Sequence, residues 1–242
     1  MRFPMERYSE VFSVKYKNIW VITVFSLFAC ALHALMLQTQ FSYYLYTSAF
    51  KVILFILCPI IYFKVSQSGK FKDLFLLKGD KKNIRLSFIL GVCVFALIVI
   101  VFMILRPFLD NAMIVDALAK NGITSTNFAV VFIYIIFINA ALEEIFFRGF
   151  VFMTLYRMNY KRYAHVYSCL LFAFYHVAIL NNALTPGIFI FCITGLAIAG
   201  LIFNSLVTRC KNIIGSLVVH ISANLALNLI VSVYFLLYRF FI

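Results

Sequence analysis

Acidic side chains are scarce in this sequence. Its 242 residues include 8 Asp and Glu, against 21 Lys and Arg. Charged residues make up 12% of the chain and hydrophobic residues 65%, with a mean hydropathy of +1.03. A soluble domain has about 25% charged residues. The shortage of charge therefore excludes an ordinary soluble domain and predicts a polytopic membrane protein.

Several motifs of known hydrolases and binding proteins are also missing. The chain has no Gly-x-Ser-x-Gly, no HExxH, no GxGD-type aspartate and no phosphate-binding loop. Serine, zincin and aspartyl intramembrane proteases of those kinds are therefore disfavoured. There is no CxxC, and the six cysteines lie scattered, mostly within apolar runs. We interpret them as small buried side chains rather than as disulfides or a metal cluster.

The hydrophobic runs predict the fold class. No polar stretch is long enough to fold alone and no internal repeat is evident, so we expect one transmembrane domain over residues 1–242. A spanning helix needs about 20 apolar residues. An all-α bundle of seven spans is predicted, at about 19–37, 43–63, 85–106, 128–150, 164–181, 187–207 and 213–239. The last segment is long and contains two asparagines, so a break that creates an eighth helix is an open alternative.

Basic residues lie mostly on one side of the predicted membrane. Sixteen of the 21 Lys and Arg precede the first span or flank the same ends of the others, and three lie on the opposite side. The positive-inside rule then places the N-terminus in the cytoplasm and the C-terminus outside. The same rule accounts for the net charge of +13 without a nucleic-acid partner. Residues 71–77, flanked by lysines, fit a surface amphipathic helix and a solvated loop equally well.

Three polar groups interrupt the apolar spans. They are Glu143-Glu144-xxx-Arg148 in span 4, Phe172-xxx-His176 in span 5 and His220-xxx-Asn224 in span 7. An ionised side chain inside a bilayer is costly, so such residues usually face the interior of the bundle. From helix rise and residue position, the three groups lie at similar depths. We therefore predict that the three groups meet in one cavity between spans 4, 5 and 7, the candidate for a catalytic cavity.

Helical spacing predicts which of these side chains meet. Residues four apart share a helix face, so Glu144 can pair with Arg148, and His220 lies one turn from Asn224. Glu143 projects about 100° away from Glu144 and is free to face another helix. Each residue taken alone also has a structural interpretation, as a hydrogen bond or ion pair between helices. The set of three groups favours function more than any one of them does.

The set allows three kinds of chemistry. A glutamate could act as general base for hydrolysis, two histidines and a glutamate could bind zinc with an open position, or the residues could relay protons in a transporter. The pair His220 and Asn224 favours hydrolysis, since both can donate hydrogen bonds to a developing oxyanion.

The chain resembles the CPBP family, which is named for CAAX proteases and bacteriocin-processing enzymes and is also called Abi. The family pattern is EExxxR, then FxxxH, then HxxxN, on separate spans. The sequence has all three in that order, within a core of about residues 128–230. The resemblance includes the type II CAAX prenyl endopeptidases and implies intramembrane proteolysis.

The resemblance also implies roles for the motif residues. Glu143 and His176 would activate water, His220 and Asn224 would stabilise the oxyanion, and Glu144, Arg148 and Phe172 would support them. No cofactor is required in that interpretation. The alternative is Zn²⁺ held by Glu143, His176 and His220.

The resemblance implies less about partners. The expected substrate is a membrane-associated peptide or protein at the bacterial cell membrane, as in quorum-sensing or bacteriocin propeptide processing or self-immunity. A non-catalytic scaffold that regulates a partner such as a sensor kinase is the alternative. The sequence leaves open whether the chain forms a homo-oligomer.

Overall fold

The protein is a bundle of helices in every part that the computed structural model describes, namely residues 19–39, 43–66, 81–124, 126–180 and 184–239. Within those ranges the chain forms eight helices and no strand. They are α1 (Ile19–Leu37), α2 (Tyr44–Ser66), α3 (Lys81–Leu105), α4 (Asn111–Lys120), α5 (Phe128–Arg157), α6 (Lys161–Leu180), α7 (Pro186–Cys210) and α8 (Ile214–Arg239). The prediction of an all-α polytopic bundle is confirmed.

Seven of these helices are long and apolar enough to cross a membrane, and α4 is not. The final segment does not break: α8 is continuous, and the Asn228 side chain donates to the Asn224 carbonyl at 2.7 Å within it. Helix α4 was not predicted. It begins where the Asp110 carboxylate accepts a hydrogen bond from the Met113 N–H at 3.1 Å, an ordinary N-cap. The predicted surface segment 71–77 lies outside the described residues.

Helix α5 is irregular over half its length. It contains two π-helical stretches, Tyr134–Asn139 and Glu144–Phe152, separated by one α-helical turn. A π turn displaces backbone carbonyls from their usual donors, and such turns often mark functional sites. Side chains from other helices bind two of these carbonyls. Asn224 of α8 donates to Ile135 O at 3.0 Å, and Ser168 of α6 donates to Phe147 O at 3.2 Å.

The second π stretch forms the centre of the bundle. Its phenylalanines Phe146, Phe147, Phe150 and Phe152 are fully buried. Phe55 of α2 stacks on Phe146 with 4.1 Å between ring centroids. Helices α6 and α7 approach closely because position 200 is glycine: a Cβ there would lie 2.9 Å from the Cα of Cys169. This packing fixes α5 against its neighbours at the level of the glutamate pair.

Candidate active site

The three polar groups meet at one point of the bundle. Glu143 of α5 is 1% exposed, and its Oε2 lies 3.5 Å from Nε2 of His220 and 3.9 Å from Nε2 of His176. His220 comes from α8, and His176 lies at a turn that interrupts α6. One carboxylate oxygen therefore faces two imidazole nitrogens from two other spans.

His176 has a defined orientation. Its Nδ1 lies 2.7 Å from the carbonyl of Phe172, one turn earlier. A carbonyl only accepts, so Nδ1 carries the proton and Nε2 of the neutral ring has a lone pair. The Phe172 ring packs against the imidazole at 4.7 Å between centroids. The interrupted helix end thus directs a basic nitrogen at Glu143.

Glu144 orients the second histidine. Its Oε1 lies 2.9 Å from Nδ1 of His220 and 3.3 Å from a terminal nitrogen of Arg148. The predicted pair of Glu144 and Arg148 is thus present in the structure. The contact to His220 was not predicted, and it directs Nε2 of that ring toward Glu143. A carboxylate behind a histidine is the usual device for holding such a ring in place.

Arg148 is completely buried between aromatic rings. Its guanidinium carbon lies 4.2 Å from the centroid of Phe172 and 4.8 Å from that of Phe203. Such stacking stabilises a cation that is removed from water. Phe172 therefore contacts both Arg148 and His176.

Asn224 connects the site to the irregular backbone. Its amide donates one hydrogen to Ile135 O, in the first π stretch of α5. The second amide hydrogen is available for another acceptor.

Two residues of the site were missed by the sequence analysis. Lys51 of α2 lies with Nζ 2.7 Å from Oε1 of Glu143, and Asn139 of α5 donates to the same oxygen at 3.0 Å. Lys51 also donates to the Asn139 side chain. Two signals could have found them: Lys51 is a charge within an apolar span, and Asn139 precedes Glu143 by one turn.

The buried charges balance. Lys51 pairs with Glu143 and Arg148 pairs with Glu144, so two carboxylates face two cations. A buried ion pair with both partners present avoids the large penalty of an isolated charge.

A lysine lies beside the three potential metal ligands of the site. No group of three His, Cys, Asp or Glu side chains in the described ranges has a metal-binding arrangement. Glu143, His176 and His220 come together, and Oε2 of the carboxylate is unbonded, but the Lys51 ammonium on Oε1 adds a positive charge that opposes a metal cation.

Residues 125–226 match the family model described as type II CAAX prenyl endopeptidase Rce1-like. This segment is therefore similar to the Rce1-like family. The expected resemblance to the CPBP family is confirmed, and the matched segment contains all three motifs. No curated protein and no solved structure matches the chain. The Rce1-like family is a protease family, so the comparison supports hydrolase activity for a multi-pass membrane protein with seven candidate spans.

Proposed function

We propose that the chain is an intramembrane endopeptidase that hydrolyses a peptide bond in a membrane-associated peptide or protein. One observation carries the proposal. Oε2 of Glu143 is buried, has no hydrogen-bond partner, and faces Nε2 of His176 and His220 at 3.9 and 3.5 Å. A carboxylate oxygen and a neutral imidazole nitrogen that converge in this way suit the binding of a nucleophilic water.

In the proposed reaction the water donates one hydrogen to Oε2 of Glu143 and the other to Nε2 of His176. Its oxygen then attacks the carbonyl carbon of the substrate while Glu143 takes the first proton. The same carboxyl group passes that proton to the amide nitrogen as the C–N bond breaks. The products are a new carboxylic acid and a new amine, and Glu143 returns to its carboxylate form.

His220 and Asn224 are proposed to stabilise the oxyanion. Nε2 of His220 can donate once both ring nitrogens carry a proton, with Nδ1 directed at the Glu144 carboxylate. The second amide hydrogen of Asn224 is the other donor. Glu144 and Arg148 are proposed to act through His220, since neither side chain forms a hydrogen bond with Glu143 Oε2.

The location and substrate follow from the charge distribution and the resemblance. We place the protein in the cell membrane, with the N-terminus in the cytoplasm and the C-terminus outside. The substrate class that we propose is a bacterial peptide precursor, such as a quorum-sensing or bacteriocin propeptide, or a target in self-immunity.

The test uses the purified full chain in liposomes with two fluorogenic probes. One is a farnesylated peptide that ends in a CAAX tetrapeptide, and the other is an unprenylated amphipathic leader peptide. We expect cleavage of at least one probe, and loss of cleavage in Glu143→Gln, His176→Ala and His220→Ala. Asp116→Asn, which alters an exposed carboxylate, is the matched control and keeps wild-type activity. Cleavage that survives all three site substitutions at normal protein levels would defeat the enzyme proposal and favour a scaffold.

A metal-independent reaction is part of this proposal. We expect cleavage to continue in 1,10-phenanthroline, because Lys51 rather than a metal ion neutralises Glu143. Activity that is lost with the chelator and restored by Zn²⁺ would contradict this part. It would indicate a zinc site formed by Glu143, His176 and His220.

A further inference from the structure

Lys51 forms a closed set of hydrogen bonds with two residues of α5. Its ammonium group contacts Oε1 of Glu143 at 2.7 Å and donates to Oδ1 of Asn139. Asn139 donates from Nδ2 to the same oxygen of Glu143, at 3.0 Å. Each of the three side chains is thus bonded to the other two, and Oε1 accepts from two donors.

This arrangement makes the two oxygens of Glu143 unequal. Oε1 is bonded twice, whereas Oε2 has no hydrogen bond and faces the two histidines. A carboxylate that is free to rotate would exchange its oxygens and turn its lone pairs away from a bound water. Two donors on one oxygen fix the plane of the group and present the other oxygen to the histidines.

The surroundings of Lys51 hold its ammonium group in place. Lys51 is 5% exposed, and Nζ lies 5.1 Å from the ring centroid of Tyr175 and 5.7 Å from that of Phe55. These rings stabilise a cation at low dielectric. Tyr175 directly precedes His176, and the two rings pack edge to face at 5.0 Å. The lysine therefore contacts the elements that carry both the carboxylate and the imidazole.

We propose that Lys51 is a positioning residue for the hydrolytic reaction, since it fixes Oε1 of Glu143 and so presents Oε2 to the water site. The proposal rests on the function proposed above. Lys51 lies on α2, outside the Rce1-like segment 125–226. The N-terminal spans thereby complete a site whose other residues all lie in that segment.

The first test separates positioning from folding by steady-state kinetics. Lys51→Met keeps the length of the side chain and removes the donor, so we expect kcat to fall about 100-fold, as for a misplacement of about 1 Å, while KM stays within about threefold. Lys120→Met, at an exposed lysine of α4, is the matched control and keeps wild-type kinetics. Wild-type kcat in folded Lys51→Met would overturn the proposal and leave the proposed function intact.

The second test restores the missing donor. In Lys51→Ala, n-propylammonium fits the vacated space and can donate to Glu143, whereas tetramethylammonium has the charge but no N–H. We expect the first ion to raise kcat at least tenfold and the second to have no effect. Equal effects of both ions, or none from either, would contradict a positioned hydrogen-bond donor.

The third test is independent of substrate. The unfolding of Lys51→Met, Glu143→Gln and the double variant is compared in mixed micelles. Lys51→Met leaves a buried carboxylate without its cation, so we expect the double variant to be more stable than Lys51→Met alone. If the two substitutions have additive effects on the free energy of unfolding, Lys51 and Glu143 do not form the proposed pair. If no probe is cleaved by the wild type while coupling is present, the proposed function fails, and positioning for hydrolysis fails with it.

Discussion

Helices α3 and α5 show how differently two membrane spans use their residues. In the most apolar window of α3, 6% of the residues are buried inside the protein, against 44% in that of α5. The outer face of α3 presents large apolar side chains such as Val92 and Phe88. Helix α5 instead contains two glutamates, an arginine and two π-helical stretches.

The two helices show how the cost of a polar residue in a membrane span is compensated. A regular, apolar helix satisfies its own backbone and needs only lipid around it. The π stretches of α5 leave carbonyls for Asn224 and Ser168 to bind, and its charges need Lys51 from α2. The irregular span is stable only because α2, α6 and α8 supply partners, and those partners are what form the site.

The two glutamates of α5 should differ strongly when each is substituted. We expect Glu143→Gln to lower kcat by about 10³-fold, within the range for loss of a general base. Glu144→Gln should mainly lower stability, because it leaves Arg148 unpaired and loosens His220. Peptide cleavage and thermal unfolding of both purified variants check this split. A stable, inactive Glu144→Gln beside an active Glu143→Gln would reverse the assignment.

The next effect concerns the buried arginine. Arg148→Met leaves the fully buried Glu144 without its cation, so we expect the free energy of unfolding to fall by about 3–5 kcal/mol. Unfolding in mixed detergent micelles measures it. Adding Glu144→Gln removes the stranded charge and should recover part of the loss. If the second substitution adds to the damage instead, the ion pair does not supply the stability that we assign to it.

A smaller effect is expected at the π-helical backbone. Ser168→Ala removes the hydroxyl that binds Phe147 O, so we expect a loss of about 1 kcal/mol, typical of polar contacts between membrane helices. The matched control is Ser205→Ala, whose hydroxyl binds Leu201 O within its own helix. If both variants lose the same free energy of unfolding in this assay, the hydrogen bond to the π-helical carbonyl is no more stabilising than one within a regular helix.

The comparison also explains what the sequence could predict. Hydrophobic length predicted all seven spans, with bounds close to those observed. Helical spacing predicted the pair Glu144–Arg148, because both residues belong to one helix. The contacts of Glu144 with His220 and of Asn224 with Ile135 could not be derived in this way. They depend on which helices are neighbours and on π turns that shift the register of α5 away from 3.6 residues per turn.

Lys51 shows the same limit of prediction from the sequence. Its charge within span 2 was visible in the sequence, yet spacing along one helix says nothing about a partner 92 positions away. The position of Asn139, one turn before Glu143, was visible too. Its role became clear only once Lys51 was found to bind both residues.

Two adjacent positions of α3 face different surroundings, and a substitution on its outer face should change the protein least. Val92 is 69% exposed, on a face that we expect lipid to cover, so Val92→Leu should change the free energy of unfolding by less than about 0.5 kcal/mol and leave kcat unchanged. At Gly91 an added Cβ would lie 2.6 Å from the Ser222 hydroxyl of α8, so Gly91→Ala should cost about 1 kcal/mol through overpacking. Unfolding of both variants in the same micelles checks the pair. A Val92 effect as large as that of Gly91 would mean that the outer face of α3 contacts protein rather than lipid, for instance a second copy of the chain.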